Sequence, residues 1–350
     1  MSNTNLHTAK KTKNDEFYTQ LTDIEKELRH YSKHFKGKTV LCNCDDPFES
    51  NFFKYFVLNF NKLKLKKLIT TCYEGSAVAE YRNGKAKPYK AVVTTVYDTA
   101  GNGGVNSEDI RNLFKLGGNE LTELDGDGDF RSKECLKLLD EADIVVTNPP
   151  FSLFREYVKV LIEHKKKFVI MGNINAVTYK EFFPLIKEGM VWPGVSFNKT
   201  MEFILPDDCQ KWNYRMADGR KVGKVLVAWY TNLDNKKRHE EPILVKKYAG
   251  HEEEYPHYDN YDAIEVNRVA NIPYDYDGIM GVPITFMDKY NPDQFEIIGA
   301  TESEGKGFSQ GLWNKESGVA QPLVAGKRVY KRIFSQQTSR ITKEGIKICF

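Results

Sequence analysis

The sequence predicts an α/β fold: a doubly wound, mostly parallel sheet carrying an antiparallel hairpin, followed by a smaller C-terminal region. Three observations support this. Strand-like runs and helical spacings alternate at least four times between about residues 39 and 172. The runs themselves, such as Asp143-Ile144-Val145-Val146-Thr147, are apolar nearly throughout, as strands covered on both faces are. Beyond about residue 235 the pattern gives way to charge runs and a Tyr/Asp/Pro-rich segment, and 350 residues exceed what one core usually absorbs. The expected division is an N-terminal arm and helix over 1–37, a main domain over 38–234 and a second, less regular region over 235–350.

In chain order, residues 1 to about 14 are polar, with Lys10, Lys11 and Lys13, and read as a solvated arm. Ile24, Leu28 and Tyr31 recur at helical spacing and predict a helix from about 20 to 34. Thr39-Val40-Leu41-Cys42 predicts a strand, Asn43-Cys44-Asp45-Asp46-Pro47 an acidic turn, and Ser50 to Phe60 a helix rich in aromatics. Lys67 to Tyr73 predicts a second strand, Ala91 to Tyr97 part of an inserted hairpin, residues 99 to 120 a glycine-rich loop, and Leu121 to Leu124 a short edge. Ser132 to Leu139 predicts a helix that leads into the strand at 143–147. Phe154, Tyr157, Val158, Leu161 and Ile162 mark the next helix, and Lys167 to Gly172 another strand. Trp192 to Leu205 and Val222 to Thr231 predict antiparallel strands closing the sheet as a hairpin.

Composition bounds the function only loosely. A net charge of +3 places any nucleic-acid face in local clusters of Lys and Arg, not in the chain as a whole. The six cysteines show no CxxC spacing and read as reduced thiols. No run of roughly 18 apolar residues and no secretory leader occur, so the expectation is a cytoplasmic protein without a membrane partner.

Asn148-Pro149-Pro150-Phe151, directly behind the 143–147 strand, carries the most chemistry. An exocyclic amine or carboxamide nitrogen is a poor nucleophile because its lone pair is delocalised. A side-chain oxygen of Asn148 and the carbonyl after the first proline can each accept one N–H, drawing that nitrogen toward tetrahedral geometry. The prolines fix φ near about −65° and remove two donors, so the turn presents carbonyls. Phe151 offers a face for an extruded base, a contact worth about 1–3 kcal/mol. The plain alternative is a turn that merely ends a strand.

Acidic residues follow or precede other strands: Asp45 and Asp46, Glu74, and Asp129. In doubly wound sheets such acids accept from ribose hydroxyls or an adenine amine, although acids in loops are also simply soluble. No GxGxxG or phosphate loop occurs, which favours a cofactor lacking phosphates. Asp125, Asp127 and Asp129 imitate a calcium loop, but Phe130 and Leu136 stand where Gly and Glu are needed. His251 and His257 lack a paired ligand pattern, so no metal is expected.

The chain resembles the EcoRI modification methylase family of adenine-specific DNA methyltransferases. The likeness runs through Asp15-Glu16-Phe17-Tyr18-Thr19, Cys42 to Pro47, Ser50 to Phe56, Gly126 to Ser132 and Asp143 to Phe154, then Tyr258 to Ile264 and Gly281 to Phe286, in order over roughly 8 to 298. It implies a class I S-adenosylmethionine-dependent methyltransferase-like catalytic domain and a C-terminal DNA-recognition region. It implies S-adenosyl-L-methionine as donor and N6 of an adenine flipped out of double-stranded DNA as acceptor. Phe17, Tyr18 and Thr19 would lie near the methionine part, Cys44, Asp45, Asp46, Pro47 and Tyr73 in the cofactor pocket, and Asp129 and Phe130 about the cofactor adenine. Asn148, Pro149, Pro150 and Phe151 would hold the target base. A monomer is expected, serving a restriction-modification system beside a cognate restriction endonuclease it does not bind directly.

Sequence readout is expected from Lys199, Arg215, Arg220 or Arg268, each of which equally suits a solvated charge. The same turn chemistry also serves RNA adenine and protein glutamine, and a DNA-binding protein that holds the cofactor without turnover is a third reading. Residues after about 300 follow the family pattern poorly.

Overall fold

The computed structural model describes residues 18–44, 47, 50–73, 88–99, 101, 103–115, 117–204, 214–217, 219–301, 308–309 and 311–338. The chain forms two compact units, Met1–Asn173 with Lys199–Leu233, and Ile174–Asn198 with Asp234–Phe350. Each is taken by itself.

The first unit is built on a sheet ordered β5-β4-β3-β2-β6-β7-β12, from β2 (Thr39–Cys42), β3 (Lys67–Thr71), β4 (Tyr89–Val93), β5 (Glu120–Glu123), β6 (Ile144–Thr147), β7 (Lys167–Asn173) and β12 (Val227–Thr231). Strands β2, β3, β6 and β7 are mutually parallel, while β4, β5 and β12 pair antiparallel at the two sides. Every residue of β2, β6 and β12 is buried, which matches apolar runs covered on both faces.

Helices cover the sheet where the sequence repeats apolar residues every third or fourth position. In α1 (Leu21–Leu28) Ile24 and Leu28 turn inward, and in α2 (Asn51–Leu58) Phe52, Phe53 and Phe56 are fully buried. Each such phenylalanine contributes roughly 1.5–3 kcal/mol of burial. Phe52 meets Trp229 of β12 edge-on at 6.0 Å. Ser50 starts α2 by accepting from the N–H groups of Phe52 and Phe53 at 3.1 and 3.4 Å. Ser132 does the same for α4 (Lys133–Glu141), accepting from Cys135 at 3.2 Å. The carboxylate of Asp143 accepts from Thr39 N–H at 2.9 Å and pairs with Lys38 at 3.1 Å, pinning the entry of β6 to that of β2.

Three expectations change. The strand expected over 192–205 reduces to Trp192–Pro193 and Met201–Ile204. The loop at 99–120 contains α3 (Ser107–Asn112), opened by a capping box in which Asn106 accepts from Glu108 N–H and Asp109 accepts from Asn106 N–H. The single strand expected over 222–231 divides at exposed Leu226. Its first half, β11 (Arg220–Val225), joins β1 (Tyr18–Thr19), β9 (Met201–Ile204) and β10 (Tyr214–Ala217) in a small antiparallel sheet ordered β1-β9-β11-β10. Only the second half, β12, pairs with β7.

The second unit holds β8 (Trp192–Pro193) and a four-stranded sheet ordered β13-β14-β18-β15, from β13 (Ile264–Glu265), β14 (Met280–Pro283), β15 (Phe295–Ala300) and β18 (Arg332–Gln337). Segment 174–198 belongs to it because Phe183, on α6 (Phe183–Lys187), packs on Phe308 at 5.2 Å and Lys187 donates to the carbonyl of Ile298 at 3.0 Å. Arg238 lies 3.7 Å from the centre of the Trp192 ring. Strand β18 pairs with both β14 and β15. Among the described residues no helix is long and apolar enough to cross a membrane.

Candidate active site

The order of the parallel strands locates the site. From β2 the chain steps to β3 on one side, then returns to place β6 on the other, so the strand order reverses between β2 and β6. Ligands of such sheets bind in the crevice outside the carboxyl ends of the strands at that reversal. Here those ends are Asn43-Cys44 after β2 and Asn148-Pro149 after β6, with Cys72-Tyr73 after β3 alongside.

Asn148 is 9% exposed, Pro149 is buried, and Pro150 and Phe151 are half-buried. The carbonyl of Pro150 accepts from Leu153 N–H at 2.9 Å, closing the 3₁₀ turn Phe151–Leu153 that runs into α5 (Phe154–Glu163). Proline rigidity at one end and this turn at the other fix the peptide between them. Phe151 packs partly against the main core of the unit. Behind the turn the Phe154 ring lies on the backbone of Gly172 in β7, where a Cβ would stand 2.3 Å from the ring.

Asn43 is buried, and its Oδ1 accepts from the Tyr157 hydroxyl on α5 and from the Cys44 thiol at 3.7 Å. Burial, reinforced by the neighbouring Cys44, drives the Tyr157 hydroxyl well above the usual phenol range, so it stays protonated and keeps donating. Phe130 meets the Tyr157 ring edge-on at 5.0 Å. The end of β2, the helix after β6 and the loop before α4 therefore converge on one tyrosine. Gly128 brings that loop close to β3: its φ is +77°, and a Cβ there would stand 2.1 Å from the carbonyl oxygen of Cys72. Asp129 is held by Arg131 through Nε at 2.9 Å and Nη2 at 2.6 Å, and Arg131 also reaches Glu156 at 2.7 Å.

Thr19 lies in β1, buried, with its hydroxyl donating to the Met171 sulfur of β7 at 3.2 Å and its carbonyl accepting from Asn51 at 2.8 Å. Tyr18 precedes it in the same strand. Cys44 and Tyr73 are half-buried and Pro47 is buried. Phe17, Asp45, Asp46 and Glu74 lie outside the described residues. Of the expected readout residues, Arg215 is paired with Glu202 at 2.7 Å, while Lys199, Arg220 and Arg268 are exposed. The sequence reading left out Asn43, Gly128 and Tyr157. The alternating glycines of Gly126-Asp127-Gly128 were the available signal for the second, whereas Tyr157 is indistinguishable from core at helical spacing.

A family model described as adenine-specific methyltransferase EcoRI matches residues 5–341, beyond the expected limit near 298. The chain is 48% identical over 300 residues to Type II methyltransferase M.EcoRI of Escherichia coli, covering 84% of this chain and 88% of the relative. It is 40% identical over 301 residues to M.MpnI of Mycoplasma pneumoniae, covering 83% of each chain. It is 39% identical over 300 residues to M.MgeORF184P of Mycoplasma genitalium, covering 83% of this chain and 84% of that one. No solved structure matches significantly.

Proposed function

Because the chain belongs to the EcoRI family of adenine-specific methyltransferases and is thus a site-specific DNA methyltransferase, we propose that it methylates N6 of an adenine flipped out of a specific duplex sequence, with S-adenosylmethionine as donor. The relatives are Type II methyltransferases by name, and DNA methylation within restriction-modification follows for this chain from that likeness. The observation that carries the finer reading is the location of Asn148-Pro149 at the carboxyl end of β6, beside the reversal of strand order.

The residues present fit the donor. Half-buried Tyr73 follows β3 and Phe130 packs on Tyr157 near the ends of the parallel strands, and the sequence has no glycine loop for a phosphate. Cys44, Pro47, Tyr73, Asp129 and Phe130 would hold the nucleoside, with Asp45 and Asp46 assigned by family likeness alone. Arg131 clamps the Asp129 carboxylate, so an adenine amine would meet its remaining lone pairs or the loop backbone. Thr19 would border the methionine part, with Phe17 and Tyr18 assigned there by family likeness alone. When bound, this group supplies an electrophilic methyl on a sulfonium.

The protein's own contribution is positioning. With the Pro150 carbonyl committed to its turn, the acceptors for the two N–H bonds of the target amine are Asn148 Oδ1 and the Pro149 carbonyl. Their hold keeps the nitrogen lone pair directed out of the base plane, and Phe151 stacks the base that has left the duplex. An N6 amine inside the helix is paired and stacked, so extrusion precedes capture. Nuclease digestion of duplex DNA after incubation with labelled donor is expected to yield N6-methyldeoxyadenosine. Label in N-methylglutamine or in ribonucleoside alone contradicts the reading.

A further inference from the structure

In the second unit β16 (Leu323–Val324) and β17 (Lys327–Arg328) form an antiparallel ribbon with a two-residue turn. Both turn residues are left-handed, Ala325 at φ +48° and Gly326 at φ +72°. A two-residue hairpin favours that geometry, but alanine rarely adopts it without support. Asp259 supplies the support: its carboxylate accepts from Ala325 N–H at 3.2 Å and Gly326 N–H at 2.7 Å. Its neighbour Asn260, 1% exposed, donates to the carbonyls of Val319 and Gln321 at 2.6 and 2.9 Å and accepts from Leu323 N–H at 2.9 Å. At the foot of the ribbon Tyr330 donates to Asn175 Oδ1 at 2.9 Å, and Lys331 reaches Thr178 Oγ1 at 3.3 Å.

The braced tip carries charge. Lys327 and Arg328 are exposed, and neither has an ion-pair partner among the described residues. No acidic residue occurs between Glu316 and Glu344. Arg332, in the same run, behaves oppositely and is buried against Glu265. Adjacent strand residues point to opposite faces, so the two cations flank the ribbon on either side. A two-stranded ribbon fits the roughly 12 Å major groove of B-form DNA, whose walls are two phosphate backbones. The deep, narrow major groove of A-form RNA excludes it.

We propose that the β16–β17 ribbon enters a groove of the DNA duplex, with Lys327 and Arg328 neutralising phosphates on the two backbones that wall it. This rests on DNA being the substrate, and it assigns the ribbon a positioning task, independent of base sequence.

The test is equilibrium binding of target and unrelated duplexes to the full chain and to Lys327→Ala/Arg328→Ala across a salt series. The exposed substitutions should leave the melting temperature unchanged. Loss of two phosphate contacts should flatten the slope of log affinity against log salt by about 1.8 and weaken both duplexes roughly 10–100-fold at low salt. An unaltered slope and affinity would overturn the proposal, as would a changed target preference with the slope intact. Failure of the unsubstituted protein to methylate any duplex strikes the parent reading instead; methylation by it, with a variant that binds identically, strikes only the ribbon.

Discussion

Two stretches that carry the family likeness, Asn148 to Phe151 in the first unit and Tyr258 to Ile264 in the second, stand in different surroundings. The first follows β6 to the point where the strand order reverses, with prolines stiffening the peptide. The second is turned inward. Tyr258 donates to Glu265, whose carboxylate forms a two-point pair with Arg332 at 3.0 and 2.5 Å, and Tyr261 stacks on Phe334 at 4.7 Å. Burial, then the negative charge of Glu265, raises the Tyr258 hydroxyl far above the phenol range, so it remains a donor. Family likeness thus covers a buried structural network in one unit and, in the other, the turn proposed to hold the target base. Only location and hydrogen-bond partners separate the two.

Substitutions can break that contrast. The largest effect is expected at Arg332→Ala, which strands the Glu265 carboxylate in the interior and should cost about 3–5 kcal/mol of stability. Denaturant unfolding reads it, and methyl transfer per folded molecule should persist. A stable variant with lost chemistry would erase the distinction between the units.

Next is Tyr157→Phe, which removes the donor that Tyr157 gives to buried Asn43 and should cost about 1–3 kcal/mol. Its signature is weaker S-adenosylmethionine binding by titration, with binding of DNA alone unchanged. Equal loss of both would make Tyr157 a general scaffold residue.

The smallest effect concerns Asp143. Burial works against its charge, but the Thr39 N–H and Lys38 outweigh it and hold its carboxyl below the usual range. A lowered folded value adds stability above the unfolded value near about 4, and that stability is lost as pH falls through the folded value. Asp143→Asn should therefore flatten the acid limb of a melting-temperature profile and lower the plateau slightly. An acid limb as steep as before contradicts the assignment.

Much of the first unit was legible because parallel strands buried on both faces leave near-continuous apolar runs, as β2, β6 and β7 do, while β3 follows Leu68-Ile69 with β-branched Thr70-Thr71. The turn at Asn148 to Phe151 was legible as a turn because a strand end followed by two prolines admits few conformations. Helix α3 was not, since six residues show no apolar period; its cause is the buried Asp109, which accepts from Thr99 N–H at 2.6 Å as well as from Asn106. The break at Leu226 was hidden because both halves are strands and differ only in which sheet they join. Strand β18 was missed as an element because its register depends on partners at 280–283 and 295–300, distant in sequence.

The proposed methyl transfer depends most on Asn148 gripping the amine that receives the methyl group. Single-turnover transfer of labelled methyl to target duplex by Asn148→Ala, with donor affinity measured on the same sample, addresses it directly. The expected result is a rate lowered at least about 10²–10³-fold, as when one preorganised hydrogen-bonding group is deleted from a reacting centre, with donor affinity retained. Undiminished transfer by that variant would contradict it.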